Sequence, residues 1–184
     1  IDLTSKTIRR EDVPAVINPL DKHALEEGLR IRDEYGGRVI VVSMGPPQAE
    51  LACREALAMG ADEAILLCDR AFAGADTLST SYSLSLAIKM VGGFNVILCG
   101  NETVDGSTGQ VPPQLADFLN IPHVTRARKI EFIDEGMARV ERSIEYGYMV
   151  VKVTLPAVIA VTREINIPRI PTVSGILEAH QREV

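Results

Sequence analysis

Three short apolar runs, each bounded by glycine or proline and each separated from the next by a helical pattern, set the architecture of this chain. They are Arg38–Ser43 (R-V-I-V-V-S), Glu63–Leu67 and Val96–Cys99. Runs with no polar alternation suit strands buried on both faces, the condition of a parallel sheet. Ahead of the first, Asp21 to Glu34 has helical periodicity with Leu25, Gly28 and Leu29 on one face, stopped by Gly36 and Gly37. Gly45, Pro46 and Pro47 open a second helix lined by Ala52, Ala56 and Met59 and ended by Gly60. A third helix is expected from about Asp76 to Met90, closed by Gly92 and Gly93. Strands alternating with helices at this spacing predict parallel strands with right-handed crossovers.

The rhythm changes after Pro122. Residues 127–133 and 137–144 alternate apolar and polar around Asp134, Glu135 and Gly136, which reads as a β-hairpin. The apolar stretch from Tyr148 to Val161, interrupted by Pro156, reads as two strands or a strand and a turn. The tail from Ile165 is Pro-rich and reads as irregular. The expected fold is therefore α/β: a doubly wound, mostly parallel sheet with helices on both faces, plus a β-hairpin at one side.

A chain of 184 residues can bury one real core. Its net charge of −6 argues against a nucleic-acid face. With no Trp and only 4% aromatic residues, a base-stacking platform is not expected. No apolar run is long enough to insert in a membrane, and no signal-peptide pattern is seen. Cys53, Cys68 and Cys99 lack metal-ligand spacing and read as reduced, mostly buried thiols of a cytosol-like compartment. His23, His123 and His180 are scattered and read as structural or solvated. The chain begins with Ile1 and is expected to be a fragment.

Ligands of open α/β sheets bind beyond the carboxyl ends of the strands. Those ends carry Ser43-Met44-Gly45-Pro46, Cys68-Asp69 and Gly100-Asn101-Glu102. The third leads into Val104-Asp105-Gly106-Ser107-Thr108-Gly109-Gln110, followed by Val111-Pro112-Pro113 and an apolar helix with Leu115, Phe118 and Leu119. Glycines let a backbone approach a ligand, and the unpaired N–H groups of a first helical turn favour an anion. The loop can thus hold a nucleotide phosphate, or it can be a capped turn with no ligand. It is neither a Walker loop nor a G-x-G-x-x-G fingerprint. Asp105 fits either a ribose contact or an Asx turn. Asn18 and Asp21 fit helix capping. The cluster Thr77, Ser79, Thr80 and Ser81 fits capping or a second polar wall of the same pocket. No Ser/His/Asp or Cys/His arrangement stands out, so redox chemistry here would be carried by a cofactor.

Several segments together resemble the beta (small) subunit of electron-transfer flavoproteins. They are V-P-A-V-I-N-P-L-D (Val13 to Asp21), V-V-S-M-G-P (Val41 to Pro46), A-L-A-M-G-A-D (Ala56 to Asp62), G-A-D-T (Gly74 to Thr77), I-L-C-G-N-E-T-V-D-G-S-T-G-Q-V-P (Ile97 to Pro112) and V-T-R-E-I-N-I-P-R-I-P (Val161 to Pro171). They run along nearly the whole chain in the family's order. The resemblance implies a heterodimer with a larger alpha subunit that holds FAD. It also implies an adenine nucleotide under the strand ends of this subunit. That nucleotide is AMP in the conventional type and a second FAD, reduced by NADH, in the electron-bifurcating type.

By the same resemblance, Asp105, Gly106, Ser107, Thr108, Gly109 and Gln110 are the phosphate-binding stretch. Ser43 and Met44 form a wall, Asp76 and Thr80 belong to the cofactor site, and Asn18 and Leu20 lie near the nucleotide and the alpha-bound flavin. Leu20 and Ile165 are the partner-docking positions, with Ile165 the apolar anchor for acyl-CoA dehydrogenase-type flavoproteins, or else simply packed in the domain. The V-D-G-S-T-G-Q-V loop and G-A-D-T-L-S-T-S resemble the bifurcating, two-FAD members. Residues 1–164 are then the nucleotide-binding domain, and 165–184 a docking loop and the start of a C-terminal arm. The family's opening strand is expected ahead of Ile1, and Ile167 and Ile170 stand where Glu and Tyr are more usual. A bacterial cytoplasmic protein is implied, with no nucleic-acid partner. The alternatives are a subunit holding AMP as a structural nucleotide, and an ATP-binding module like universal stress proteins.

Overall fold

A computed structural model describes residues 15–134 and 136–184. Val13 and Pro14 of the first family segment, and Glu135 of the hairpin turn, lie outside the described residues. Among the described residues, five α-helices and seven strands follow in the order α1 (Pro19–Tyr35), β1 (Ile40–Met44), α2 (Glu50–Met59), β2 (Glu63–Leu67), α3 (Thr77–Val91), β3 (Val96–Gly100), α4 (Val111–Leu119), β4 (His123–Asp134), β5 (Met137–Ile144), β6 (Gly147–Thr154), β7 (Ala157–Val161) and α5 (Val173–Ala179). Proline at the first helical position starts α1, where its missing N–H would have no partner anyway. Gly60, with φ 117°, ends α2 in a left-handed turn that its N–H closes onto Leu57.

Among the described residues the strands form a parallel pair, β1–β2, and a five-stranded sheet in the order β3-β7-β4-β5-β6. The pairings β1–β2, β3–β7 and β4–β7 are parallel; β4–β5 and β5–β6 are antiparallel. The expected class holds, with two refinements. The hairpin is part of a three-stranded meander, because β6 pairs with β5. The stretch broken at Pro156 is two strands, and the second, β7, returns between β3 and β4 as the sheet's centre.

Strand β7 shows why helices must cover both faces. All five of its residues, A-V-I-A-V, are fully buried. Side chains alternate across a strand. Ala157, Ile159 and Val161 join a core with Ala24 of α1, while Val158 packs with Leu115 and Ala116 of α4. Each fully buried Val or Ile contributes about 1.5–3 kcal/mol. A third cluster joins α1, α2 and α5 to β1 and β2 through Leu25, Leu29, Cys53, Leu57, Met59, Ala64 and Ala179.

Three local expectations change. The tail is not wholly irregular: Thr172 caps α5 by accepting the Gly175 N–H at 3.1 Å, and Ala179 is buried against α2. Cys68 is exposed, whereas Cys53 is buried and burial pushes the Cys99 thiol well above its usual range. The α1 face buries two carboxylates, Glu26 and Glu27, that periodicity alone did not foresee.

Candidate functional site at the carboxyl ends of the strands

The site begins where α1 meets the end of β3. Gly100 lies so near α1 that an added methyl would stand 2.8 Å from the Leu20 Cβ and from the Asp21 nitrogen. Only glycine allows that approach. The Gly100 N–H donates to the Asp21 carboxylate at 2.6 Å, and Asn18 Nδ2 donates to the other Asp21 oxygen at 2.8 Å. Burial raises the Asp21 pKa, with these two hydrogen bonds opposing the rise. Asn18 then reaches the loop: its Nδ2 donates to Glu102 O at 3.0 Å, and its Oδ1 accepts the Val104 N–H at 3.2 Å. Asn18 makes no side-chain cap to α1, so its hydrogen bonds tie helix to loop instead.

The loop turns on itself past Asp105. Both the N–H and the hydroxyl of Ser107 donate to Thr103 O, at 2.8 and 3.1 Å, with Ser107 in the left-handed region at φ 47°. The Thr108 hydroxyl accepts the Gln110 N–H at 3.4 Å. The N–H groups of Gly106, Thr108 and Gly109 donate to no described residue, and residues 102–108 are exposed. Open amides between two glycines, just ahead of the α4 N-terminus, make a cradle for an anion. An added methyl on Gly106 would meet nothing closer than 3.6 Å, so the approach to the loop is clear.

Two further walls flank it. Asp76 caps α3 by accepting the Ser79 N–H at 2.8 Å, and hydrogen bonds from that first turn hold its carboxyl below the usual range. Thr80 lies one turn on. Ser81, fully buried, donates to Thr77 O and to Gln114 Oε1 of α4, which fixes the starts of α3 and α4 side by side. Ser43 and Met44 end β1, which packs against α3. The structure thus brings Asn18 and Leu20 against residues 100–104, the stem that leads into the 105–110 loop. It sets Asp76 and Thr80 beside the start of α4, and connects Ser43 and Met44 only through α3. A cleft of about 750 Å³ between the end of α2 and Arg169–Arg182, and one of about 440 Å³ lined by His123, Thr125, Arg142 and Lys152, contain none of the loop residues. Among the described residues, no group of His, Cys, Asp or Glu side chains could hold a metal ion, and no helix is long and apolar enough to cross a membrane.

The segment after β7 is clamped onto α1. Asn166 donates to Glu27 at 2.9 Å and to His23 O at 3.0 Å, and its Oδ1 stands 3.1 Å from His23 Nδ1. Arg169 grips Glu26 through Nε at 2.9 Å and Nη2 at 3.2 Å, and reaches Asp33 at 3.0 Å. These anchors turn Ile165 inward, half-buried against the core, and turn Ile167 and Ile170 outward at 91% and 88% exposure. Val173 and Leu177 continue the exposed apolar strip.

Two residues of the site were not singled out by sequence. Asn101 Oδ1 accepts the Arg126 N–H at 3.0 Å, and Asn101 N donates to Val161 O at 3.0 Å. Its place directly after β3 was the available signal. Arg126 sits in a bulge of β4, and nothing in the local pattern marks it.

Comparison with known proteins follows the same lines. Residues 5–184 match the electron transfer flavoprotein domain. The sequence is 51% identical over 183 residues to “Electron transfer flavoprotein subunit beta” of Thermoanaerobacterium thermosaccharolyticum, covering all of this chain and 70% of that protein. It is 46% identical over 185 residues to “Caffeyl-CoA reductase-Etf complex subunit CarD” of Acetobacterium woodii, again with 70% of that protein covered. It is 42% identical to “Protein FixA” of Azotobacter vinelandii over 98% of this chain and 66% of the relative.

Proposed function

The chain belongs to the electron transfer flavoprotein family, as a beta-type subunit, and from that premise we propose that it binds FAD at the carboxyl ends of its parallel strands and carries electrons within a heterodimer with a larger alpha subunit. The observation that carries this reading is the loop ahead of α4, in which the N–H groups of Gly106, Thr108 and Gly109 donate to no described residue and residues 106–108 are exposed. The donor set fits a phosphate-bearing nucleotide: N–H groups, the Thr108 hydroxyl and a helix N-terminus, with Gly106 and Gly109 leaving room for close approach. Asn18 and Asp21 hold that loop to α1, so they position rather than contact the phosphates. Asp76, Thr80, Ser43 and Met44 form the remaining walls.

Held there by loop 105–110 between the walls of Asp76, Thr80, Ser43 and Met44, FAD would supply the redox chemistry, hydride acceptance from NADH and one-electron release, that bifurcation toward the alpha-subunit FAD and acyl-CoA dehydrogenase-type partners requires. The similarity to a subunit named for a caffeyl-CoA reductase complex supports a partner that acts on a CoA thioester. The exposed strip Ile167, Ile170, Val173 and Leu177 is the docking surface of this reading, because exposed apolar clusters rimmed by polar groups mark partner contacts. The setting is the bacterial cytoplasm, where NADH is available.

The deciding experiment denatures the complex co-expressed with its alpha subunit and identifies the released nucleotides. Two FAD per heterodimer is the expected result. One FAD and one AMP would make this subunit a nucleotide-holding scaffold and remove the bifurcation reading. In the same preparation Thr108→Val and Gly106→Glu should strip the beta-site nucleotide and leave the fold intact. Unchanged nucleotide content in both would remove the loop assignment. ATP bound to a stable monomer would point instead to a stress-protein-like module.

A further inference from the structure

We propose that the outer face of α3 docks a second copy of this chain, pairing with the same face across a two-fold axis. A helix that covers a sheet normally turns its apolar side in and its polar side out. Helix α3 inverts this pattern. Ser81 and Ser85 are buried on its inner side, and their hydroxyls donate one turn back, to Thr77 O and Tyr82 O. Leu84 and Ile88 pack beside them on the core shared with α4 and β7. The outer side carries Leu78, Tyr82, Leu86 and Met90, which are 44–88% exposed. A helix that is apolar on both sides is one that is covered on both sides.

The spacing identifies the occupant. The four residues recur at every fourth position, so they form one ridge along the helix. Ser79 and Ser83 run beside the ridge and leave a groove of short side chains. The Ser83 hydroxyl donates to Ser79 O at 2.9 Å, so it can be covered without losing its partner. A ridge beside a groove is self-complementary: the ridge of one copy enters the groove of the other, the commonest class of helix packing. The ridge is also symmetric about position 84. A two-fold axis at that level sets Leu78 against Met90 of the second copy and Tyr82 against its Leu86. That reciprocal pairing is what an isologous contact requires. Charge agrees. The chain has a net charge of −6, yet α3 contains no carboxylate. Its one charge, Lys89, is drawn off the ridge to Phe118 O at 2.8 Å. Asp76 caps the opposite end, so antiparallel copies turn unlike charges toward each other.

The size of the face sets the strength of the contact. Tyr82 meets Phe118 edge to face, with 5.4 Å between ring centroids, which widens the ridge onto α4. Even so the face is one helix wide. It falls short of the roughly 800 Å² per partner of a standard interface, and far short of the roughly 2,000 Å² or more in total that obligate partners bury. A contact of this size holds two copies weakly and responds to concentration. It is separate from the strip of Ile167, Ile170, Val173 and Leu177, which belongs to the segment after β7 and to α5, packed on α2.

The test is sedimentation velocity on the complete two-subunit complex. Wild type, Leu86→Glu and Met90→Glu are compared from about 1 μM to about 1 mM, the span of weak association. The wild-type mass should rise with concentration from one heterodimer toward two. Both variants should self-associate at least tenfold more weakly, with unchanged flavin content. Their melting temperatures should lie near wild type, because both side chains face outward. Met90, the most exposed of the four, keeps the comparison valid if Leu86→Glu folds poorly. A wild-type complex that stays a single heterodimer throughout the range would overturn the proposal. Association that both variants leave unchanged would overturn it as well, by placing the contact on another surface. Loss of the larger subunit from the variants would do the same, by giving this face to that subunit.

Discussion

The Asp21 carboxylate accepts the Gly100 N–H at 2.6 Å, so the first turn of α1 and the last residue of β3 are one unit. Gly100 is buried, and its N–H has no water to turn to if that acceptor goes. Asp21→Ala should destabilise the fold by about 1–3 kcal/mol, the cost of an unsatisfied buried donor. Asp21→Asn keeps an oxygen for Gly100 and should lose less, although it sets an amide against Asn18. Urea unfolding compares the two, and equal stability of Asp21→Ala and wild type would remove the unit.

Gly100→Ala tests the same junction from the other side. The new methyl would sit 2.8–2.9 Å from backbone atoms of Leu20 and Asp21, which cannot give without moving α1. A loss of roughly 1–3 kcal/mol is expected, as for overpacked cores, together with reduced nucleotide retention. Gly106→Ala, with its nearest neighbour at 3.6 Å, should be close to neutral in stability. Thermal melts of the pair decide this, and a tolerated alanine at residue 100 would contradict the geometry.

Arg169 and Glu26 fasten the segment after β7 to α1. Glu26 is buried, while Arg169 keeps about a third of its side chain in solvent. Arg169→Ala leaves the buried Glu26 carboxylate only the backbone N–H of residue 169 and should cost roughly 2–3 kcal/mol, below the full penalty for a wholly buried pair. Arg169→Lys cannot reproduce the two-pronged grip and should fall between. Amide exchange at residues 165–171 should quicken in both variants; unchanged protection would mean that the clamp does not hold the segment.

The outward apolar residues should matter for partners and not for folding. Ile167→Asp changes a residue that is 91% exposed, so the melting temperature should move little. On the proposed docking reading, electron transfer from the complex to an acyl-CoA dehydrogenase-type flavoprotein should weaken at least tenfold through affinity. Ile165→Asp, by contrast, should destabilise the domain, because that side chain packs on the core. Binding assays on the two variants separate the roles, and full affinity in Ile167→Asp would move the docking surface elsewhere.

Acid should unfold this protein through its paired carboxylates. The Arg169 hydrogen bond, joined by Arg32, lowers the pKa of Asp33. At Asp62, partial burial raises the pKa, but the Val39 N–H and Arg32 together outweigh it and leave a net lowering. A lowered folded pKa gives stability that is present above the unfolded value of about 3.9 and is lost as pH falls through the folded one. Asp21 has the opposite sign: its raised pKa gives stability below the unfolded value that is lost as pH rises through the folded one. Stability measured from pH 6 to pH 3 should therefore fall less steeply in Asp62→Asn than in wild type. An identical slope would show that Asp62 is not paired in solution.

The sequence by itself determined the elements and the place of the loop. Unbroken apolar runs such as Ile97–Cys99, bounded by turn residues, suit strands of a parallel sheet, glycines such as Gly60 stop helices, and a ligand loop in such a fold follows a strand end. Those are local rules of backbone shape and apolar periodicity, and they act within a few residues. The tertiary structure alone decided which distant groups meet. Asn18 ties to Glu102 and Val104, Asn101 fixes Arg126, and Glu26 and Glu27 are buried because Arg169 and Asn166 arrive from the far end of the chain. No local pattern encodes these pairs. A polar side chain can be buried only when a partner satisfies it, and whether one does depends on the packed fold. The same holds for Ile165 and Ile167: both are apolar on the page, and only the clamp between them and α1 turns one inward and the other out.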